Sequence, residues 1–567
     1  PNRADAMSHY GVARDLAAYL EAHGQSAALT LPSVEEFAVD NHDRKTEIEV
    51  LDHSGAPRYA GITITGAKIG PSPEWMQNSL RAIGLNPHNN LVDITNFVLH
   101  ELGQPLHAFD ADKIEGGKVI VRTCPEGTEF ETLDGVKRTL SAEDLMICSQ
   151  SEPMCIAGVF GGQKSGISDT TTNIFLESAY FNPVRVRKTA KRHGLNTDAS
   201  FRFERGIDPD MTVYALKRAA LLFKEIAGGK ISSEITDIYP EKIEPARFDI
   251  SLRRTCMLIG KDIPEDTLLG IIAALDVKIL SREGDTLHVE VPAYRVDVTR
   301  EADLIEDILR IYGYNNIEIP QSVHSTLSYA PKPDKEKIVN TVSDMLSSIG
   351  YTEIMNNSLS KAAYYQPLES YKAENCVKIL NPLSTDLNVM RQTLLFGALE
   401  TVALNTNRRN PDLKLYEFGN CYRYDATRTA EQAEKPLAPY TETYRLAVTV
   451  TGTDTPQSWQ GKAAGSSFFT LRAAVEKILH RMGVDIYSLK TSACSSDLFD
   501  EALSLEIGGK EFMQMGVVAR KITAMLDIKA PVYFMEMNFD ALLKATRKNK
   551  VSAQELSKYP EVKRDLA

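Results

Sequence analysis

The residues best suited to chemistry lie between Gly194 and the turn Gly206-Ile207-Asp208-Pro209. Asn196, Thr197, Asp198, Ser200, Arg202 and Glu204 crowd this short span. A segment built only to pack would not concentrate so many hydrogen-bonding groups. A basic strip precedes it: Arg185, Arg187, Lys188, Lys191, Arg192 and His193. A polar pocket beside such a strip suits hydrolysis of a substrate attached to nucleic acid. Arg185, Lys188 and Arg192 recur at i, i+3 and i+7, one helix face able to track phosphates. The same spacing also describes an ordinary solvated face.

A second constellation is acidic. Asp303, Glu306 and Asp307 recur at i, i+3 and i+4, and Asp297 stands just before them. Four oxygen donors without His or Cys suit a hard cation, Mg²⁺ in particular. The competing reading is that acids near a helix start complement its dipole.

These groups need elements to hold them. Residues 58–240 alternate strand-like runs at 118–122 and 174–176 with helices, one at 214–226 closed by Gly228 and Gly229, and read as mixed α+β. A helix-like stretch at 12–21 precedes them, joined through Pro32 and a polar linker at 41–47. Residues 247–320 form a compact unit with strands at 248–252, 278–280 and 287–291. Its helices lie at 265–275 and 300–312, the second stopped by Gly313. Pro320, Pro331 and Pro333 mark the next boundary. Beyond it, helices at 336–349 and 394–404 and strands at 413–418 and 444–451 imply an antiparallel sheet with flanking helices, and residues 452–466 read as a flexible loop.

At 567 residues the chain has room for several domains of about 100–200 residues each. A net charge of -12 argues against a protein that coats nucleic acid indiscriminately, but not against one local basic patch. No apolar run reaches the ~20 residues of a membrane span, and no signal peptide is visible, so no membrane partner is expected. The seven cysteines form no Cys-x-x-Cys pair, which disfavours a zinc ribbon and fits thiols in the cytoplasm. Pro1 is not expected to be the natural start.

Four words, in order, carry a resemblance. They are residues 89–97 (Asn89 to Phe97), 101–110 (Glu101 to Asp110), the glycine-bearing 157–162 leading to 175–179, and 194–209. Together they resemble the editing domain of bacterial phenylalanyl-tRNA synthetase β subunits, which hydrolyses tyrosine misattached to the phenylalanine tRNA. The resemblance implies a pocket of Thr95, His107, Gly161, Glu177, Thr197 and Ala199. Phenylalanine and tyrosine differ by one hydroxyl, which an apolar pocket rejects by only about 10²-fold. A second site that demands the hydroxyl solves this. Glu177 would accept its hydrogen bond, and correct phenylalanine would leave that acceptor unpaired, at ~1–3 kcal/mol. Gly161 and Ala199 would leave room for the ring, while His107 and Thr197 would hold the ester and a water. Without the family, His107 reads as a structural hydrogen-bonder, Glu177 as a surface cap and the glycines as turn residues. Asn86 stands where many members carry Arg.

The resemblance extends over nearly the whole chain. Residues 291–314 resemble the region where β-subunit acids bind Mg²⁺ near the α subunit, with Asp307 where Glu is usual. Residues 334–567 resemble the catalytic-like module: a class II synthetase-like antiparallel sheet without the ATP-site arginine motif, in which Arg391 and Glu417 are structural. The expectation is an α+β multidomain chain: a remnant of an N-terminal domain at 1–44, a mixed α/β editing domain at 45–240, a small winged-helix-like α/β unit at 241–322, and the catalytic-like module at 323–567. Domains flanking this span in the family are missing, so a fragment or a short member is expected. The implied partners are the α subunit, in a tetramer of two α and two β, and tRNA(Phe), with ATP bound on α. Arg185, Lys188 and Arg192 would meet the tRNA. Two other readings remain: a scaffold with a dead pocket, and a metal-dependent hydrolase using Asp297, Asp303, Glu306 and Asp307.

Overall fold

The computed structural model describes residues 2–323, 325–329, 333–428, 435–547 and 555–566; Pro331 of the expected boundary lies outside them. The chain is mixed α/β and divides into two units, one ending at Val323 and the other following it.

In the first unit the strand Ile174–Tyr180 runs antiparallel between Arg58–Thr65 and Leu106–Asp110. Its residues are almost all buried because both faces are covered, so it lacks the alternation of a half-exposed strand. On one face Ile174 and Leu176 pack with Ile94 and Val98 of the helix Asn90–Leu102 and with Leu216 and Phe223 of the helix Met211–Ala227. On the other, Phe175 and Ala179 join Tyr59, Phe109 and residues such as Val121 and Ile147 of a five-stranded sheet. Position 177 shares this second face with 175 and 179, so its carboxyl is carried in between two sheets.

The strands Ala246–Ser251, Thr286–Val291 and Lys278–Glu283 make a small three-stranded sheet. Its core takes Leu268 and Ile272 from Glu265–Ala274, Leu304 and Ile308 from Glu301–Tyr312, and Ala18 from the N-terminal helix His9–Ala22. The helix Leu252–Ile259 was not expected. Ser251 caps it through the Arg254 N–H, and Gly260 ends it in the left-handed region, where a glycine is cheap.

The second unit is built on a seven-stranded, mostly antiparallel sheet. Its strands Leu413–Tyr424 and Tyr440–Thr451 pair along their whole length and run past the expected ends. Gly419 lies under Arg391, whose guanidinium would sit 2.2 Å from an added Cβ. The stretch expected to be a flexible loop holds the paired strands Thr453–Thr455 and Ala464–Gly465. Arg391 and Glu417 form a buried ion pair at 2.6 Å, and the same carboxylate accepts from the Asn356 side chain at 2.8 Å. Their bonds close on the protein itself, as a structural pair requires.

Candidate active site

All six expected pocket residues line one cavity of about 390 Å³ in the first unit. Non-local strand pairing brings them together. Glu177 stands directly opposite His107 on one neighbouring strand and opposite Gly61 on the other. Facing residues of an antiparallel pair lie about 5 Å apart at Cβ, so the carboxyl and imidazole share one wall.

Glu177 is buried rather than a surface cap. Its Oε2 accepts a hydrogen bond from the Tyr59 hydroxyl at 2.9 Å, its only hydrogen-bond partner among the described residues. Burial pushes the carboxyl up to about 8, against the lowering effect of the Tyr59 bond. The acceptor expected to wait wholly unpaired therefore has one oxygen fixed and one left for a ligand. Tyr59 is itself fully buried. Nothing in the local sequence marks it.

His107 has one edge open to the cavity and packs edge-on against Phe109 at 4.4 Å. The surrounding protein pushes its pKa down to about 4, so the imidazole is neutral at pH 7. Its ring nitrogens have no hydrogen-bond partner among the described residues. Gly161 lies against it: an added Cβ would come within 2.8 Å of Leu133 Cδ1 and 3.1 Å of His107 Cε1. Gly158 has φ +68, and a Cβ there would meet Phe181 and Phe203 at 2.9 and 3.0 Å. These glycines give close approach as well as turns.

The two threonines are already engaged. Thr95 donates to the Val92 carbonyl at 2.7 Å. Thr197 caps the helix Asp198–Phe203, accepting from Ser200 N–H at 3.1 Å and donating to the Val159 carbonyl at 2.9 Å. Both hydroxyl protons are committed to backbone carbonyls, and the Thr197 cap fixes Ala199 at the cavity edge. Cys155 also lines the cavity, but burial holds its thiol protonated, which removes its nucleophilicity. Asn96, Leu133 and Asp198 are among the lining residues that sequence reasoning did not assign to the pocket.

The basic strip is the helix Pro183–His193. Arg185 pairs with Asp52, and Arg192 with Glu143 at 2.8 Å and with Asp144. Burial alone would raise Asp144, but bonds from Ser141 N–H, His193 and Thr189 outweigh it and hold the carboxyl below the usual carboxylate range. Arg185 and Arg192 thus brace the fold. Lys188 is exposed and has no side-chain partner among the described residues.

The acidic constellation does not assemble a cation site. Asp297 accepts from Arg295 Nε and Nη2 at 3.2 Å each. Asp307 is buried against Arg295 and Arg310. Asp303 accepts the Thr299 and Arg300 N–H groups at 3.2 Å, capping its own helix, and Glu306 is exposed. Among the described residues no group of three His, Cys, Asp or Glu could hold a metal ion. The physical reason is competition: Arg295 pairs with Asp297 and Asp307, Arg310 pairs with Asp307, and Arg3 comes within 4.0 Å of Asp307, so a cation would have to displace guanidinium groups that Asp5 and Asp15 also hold in place. Asp297, Asp303 and Asp307 turn to these arginine and backbone partners, the four acids do not turn to one shared point among the described residues, and the metal-hydrolase reading is not favoured.

Family models match three stretches: a B3/4 domain at residues 55–228, a tRNA synthetase B5 domain at 248–314, and a phenylalanyl tRNA synthetase beta chain CLM domain at 319–539. These modules define a tRNA synthetase chain. Phenylalanine–tRNA ligase beta subunits of Bacteroides fragilis, Bacteroides thetaiotaomicron and Porphyromonas gingivalis are 54%, 53% and 47% identical to it over its whole length. The chain spans 69% of the length of each. It belongs to the phenylalanine–tRNA ligase beta subunit family. A pyrrolysyl-tRNA synthetase structure from Desulfitobacterium hafniense aligns at TM-score 0.28 and 14% identity, over 37% of this chain and 68% of that one, too slight a likeness to bear on the fold. Among the described residues no helix is long and apolar enough to cross a membrane.

Proposed function

We propose that the cavity around Glu177 and His107 hydrolyses tyrosine from mischarged tRNA(Phe), so that this chain supplies proofreading to a phenylalanine–tRNA ligase. The observation that carries the reading is a buried carboxyl with one oxygen held by Tyr59 and the other available to the cavity. A phenolic hydroxyl satisfies that second oxygen in either protonation state: it donates to the carboxylate and accepts from the neutral acid. A phenylalanine ring leaves it desolvated and unpaired, which costs about 1–3 kcal/mol. Gly161 and Ala199 leave space for the ring, and Thr95 and Thr197 fix the walls.

The aminoacyl ester is reactive, so holding it beside a water accounts for much of the acceleration. No lining hydroxyl or thiol among the described residues is free to act as a nucleophile. Direct attack by water is therefore the route. His107, neutral and without an internal partner, orients that water through a ring nitrogen.

The editing region spans residues 45–240, preceded by the segment 1–44. Residues 241–322 form a small winged-helix-like unit. Residues 323–567 form a class II synthetase-like module that pairs with a catalytic α subunit in a cytoplasmic tetramer of two α and two β. ATP is bound on that α subunit. Lys188 contacts the tRNA backbone, with Arg185 and Arg192 setting its helix. The test is hydrolysis of Tyr-tRNA(Phe) and Phe-tRNA(Phe) by the chain assembled with α: rapid loss of the tyrosyl ester alone is expected, and equal treatment of both esters would refute the assignment.

A further inference from the structure

The unit that follows Val323 contains a second hollow that the editing reading does not use. One face of its seven-stranded sheet changes character along the strands. Toward one end, Leu413, Leu415, Val532 and Phe534 pack with the helix Leu395–Asn407 in an apolar cluster. Further along the same alternating positions the side chains turn polar. Cys421 stands opposite Thr443, Arg423 opposite Thr441, and Arg445 opposite Gly419. Over this floor opens a cavity of about 550 Å³, walled by Tyr371 and Ser496 among others. That size falls in the usual range of small-molecule sites.

The formal charges around it balance, Arg423, Arg428 and Arg445 against Asp425, Glu511 and Glu536, but the guanidinium hydrogen-bond donors are not all used. Both acids at the cavity are engaged. Asp425 accepts from the Thr427 N–H and hydroxyl at 3.1 and 2.6 Å, and Glu511 accepts from Ser504 at 2.5 Å and Gln514 at 2.6 Å. On the same face of the sheet, Glu536 accepts from the Arg445 Nη1, the Thr393 hydroxyl and the Leu394 N–H. The guanidinium donors remain in surplus. Among the described residues Arg445 Nε is buried with no hydrogen-bond partner although Nη1 pairs with Glu536, Arg423 has no ion pair, and Arg428 reaches Asp425 only at 3.5 Å. A buried N–H without an acceptor is a cost that a bound anion relieves.

We infer that this cavity binds a small phosphate-bearing molecule, with Arg423, Arg428 and Arg445 converging on the phosphate. Forked guanidinium donors match the oxygens of a phosphate, and three of them exceed what the two oxygens of a carboxylate can use. The Thr441 and Thr443 hydroxyls and the Tyr371 ring meet the organic body, for which the cavity has room beyond the phosphate itself. Nothing in this site shares a residue with the editing cavity, so either assignment stands or falls without the other.

The experiment is calorimetric titration of the full chain with ribose 5-phosphate and with inorganic phosphate. Saturable binding is expected for both, tighter for the ester, and the Arg423→Ala chain should bind the ester about tenfold or more weakly. Arg423 is exposed, so its removal spares the fold. Arg408→Ala serves as the control, because Arg408 precedes the opposite end of the strand that carries Arg423. No saturable binding, equal affinity for ester and free phosphate, an unchanged Arg423→Ala chain, or an equal loss in Arg408→Ala would each overturn the inference.

Discussion

Replacing Tyr59 by Phe removes one oxygen and nothing else from a fully buried ring, and it tests how Glu177 is presented. The lost bond is 2.9 Å long and is the one protein contact that fixes the carboxyl among the described residues. A hydrogen bond to a chargeable acceptor is worth about 1.5–3 kcal/mol, so selectivity should fall by roughly 10- to 150-fold. The assay is single-turnover deacylation of Tyr-tRNA(Phe) and Phe-tRNA(Phe) by the assembled enzyme. Only the tyrosyl rate should fall, since the phenylalanyl ester never used the carboxyl. A second readout separates positioning from general damage. Burial sets Glu177 at about 8, and the Tyr59 bond pulls it downward. Without that bond its titration moves to higher pH, so the pH at which the tyrosyl-to-phenylalanyl rate ratio changes should rise. A variant that slows both esters equally, or that keeps the ratio and its pH midpoint within twofold and a few tenths of a unit, would refute the reasoning.

Three further outcomes follow from the same geometry. In Gly161→Ala the new methyl meets Leu133 and His107; overpacking of about 1–3 kcal/mol should weaken tyrosyl hydrolysis roughly tenfold or more, read from deacylation rates. Glu177→Gln should change how stability responds to pH. A carboxyl raised from 4.5 to about 8 on folding binds more protons folded than unfolded, so its effect on stability is increasingly unfavourable as pH rises through that window. His107, lowered from 6.5 to about 4, acts with the opposite sign and only below about 6.5. Between pH 6.5 and 8 the native chain should therefore lose about 2 kcal/mol relative to the Gln variant in urea unfolding, and parallel pH curves would contradict this. Lys188→Ala should weaken tRNA(Phe) binding and reduce its salt slope by about one, whereas Arg192→Ala should chiefly lower the melting temperature because it leaves the buried Asp144 short of a partner.

The candidate pocket was legible through four short words in order that carry the family resemblance; by type alone its His, its carboxyl and its glycines read as a structural hydrogen-bonder, a surface cap and turn residues. Tyr59 was illegible for a physical reason. It lies 118 residues before Glu177, and only the antiparallel pairing of their strands makes them neighbours. The acids at 297–307 failed in the opposite way. Their helical spacing was read correctly, and Arg310 at i+3 from Asp307 was there to be read, but Arg3 is brought to Asp307 only by the packing of the N-terminal helix against Glu301–Tyr312, which periodicity cannot reveal. The basic helix shows the same limit. Its face was visible, but the acids at 52, 143 and 144 that occupy two of its three arms were not. The strands expected at 413–418 and 444–451 extend to Leu413–Tyr424 and Tyr440–Thr451 because each pairs with the other along its whole length.

Glu177→Ala in the assembled enzyme is the most direct test of the account. It predicts that the variant cleaves Tyr-tRNA(Phe) and Phe-tRNA(Phe) at similar slow rates while the native enzyme strongly favours the first. A variant that still prefers the tyrosyl ester as strongly as the native enzyme would contradict it.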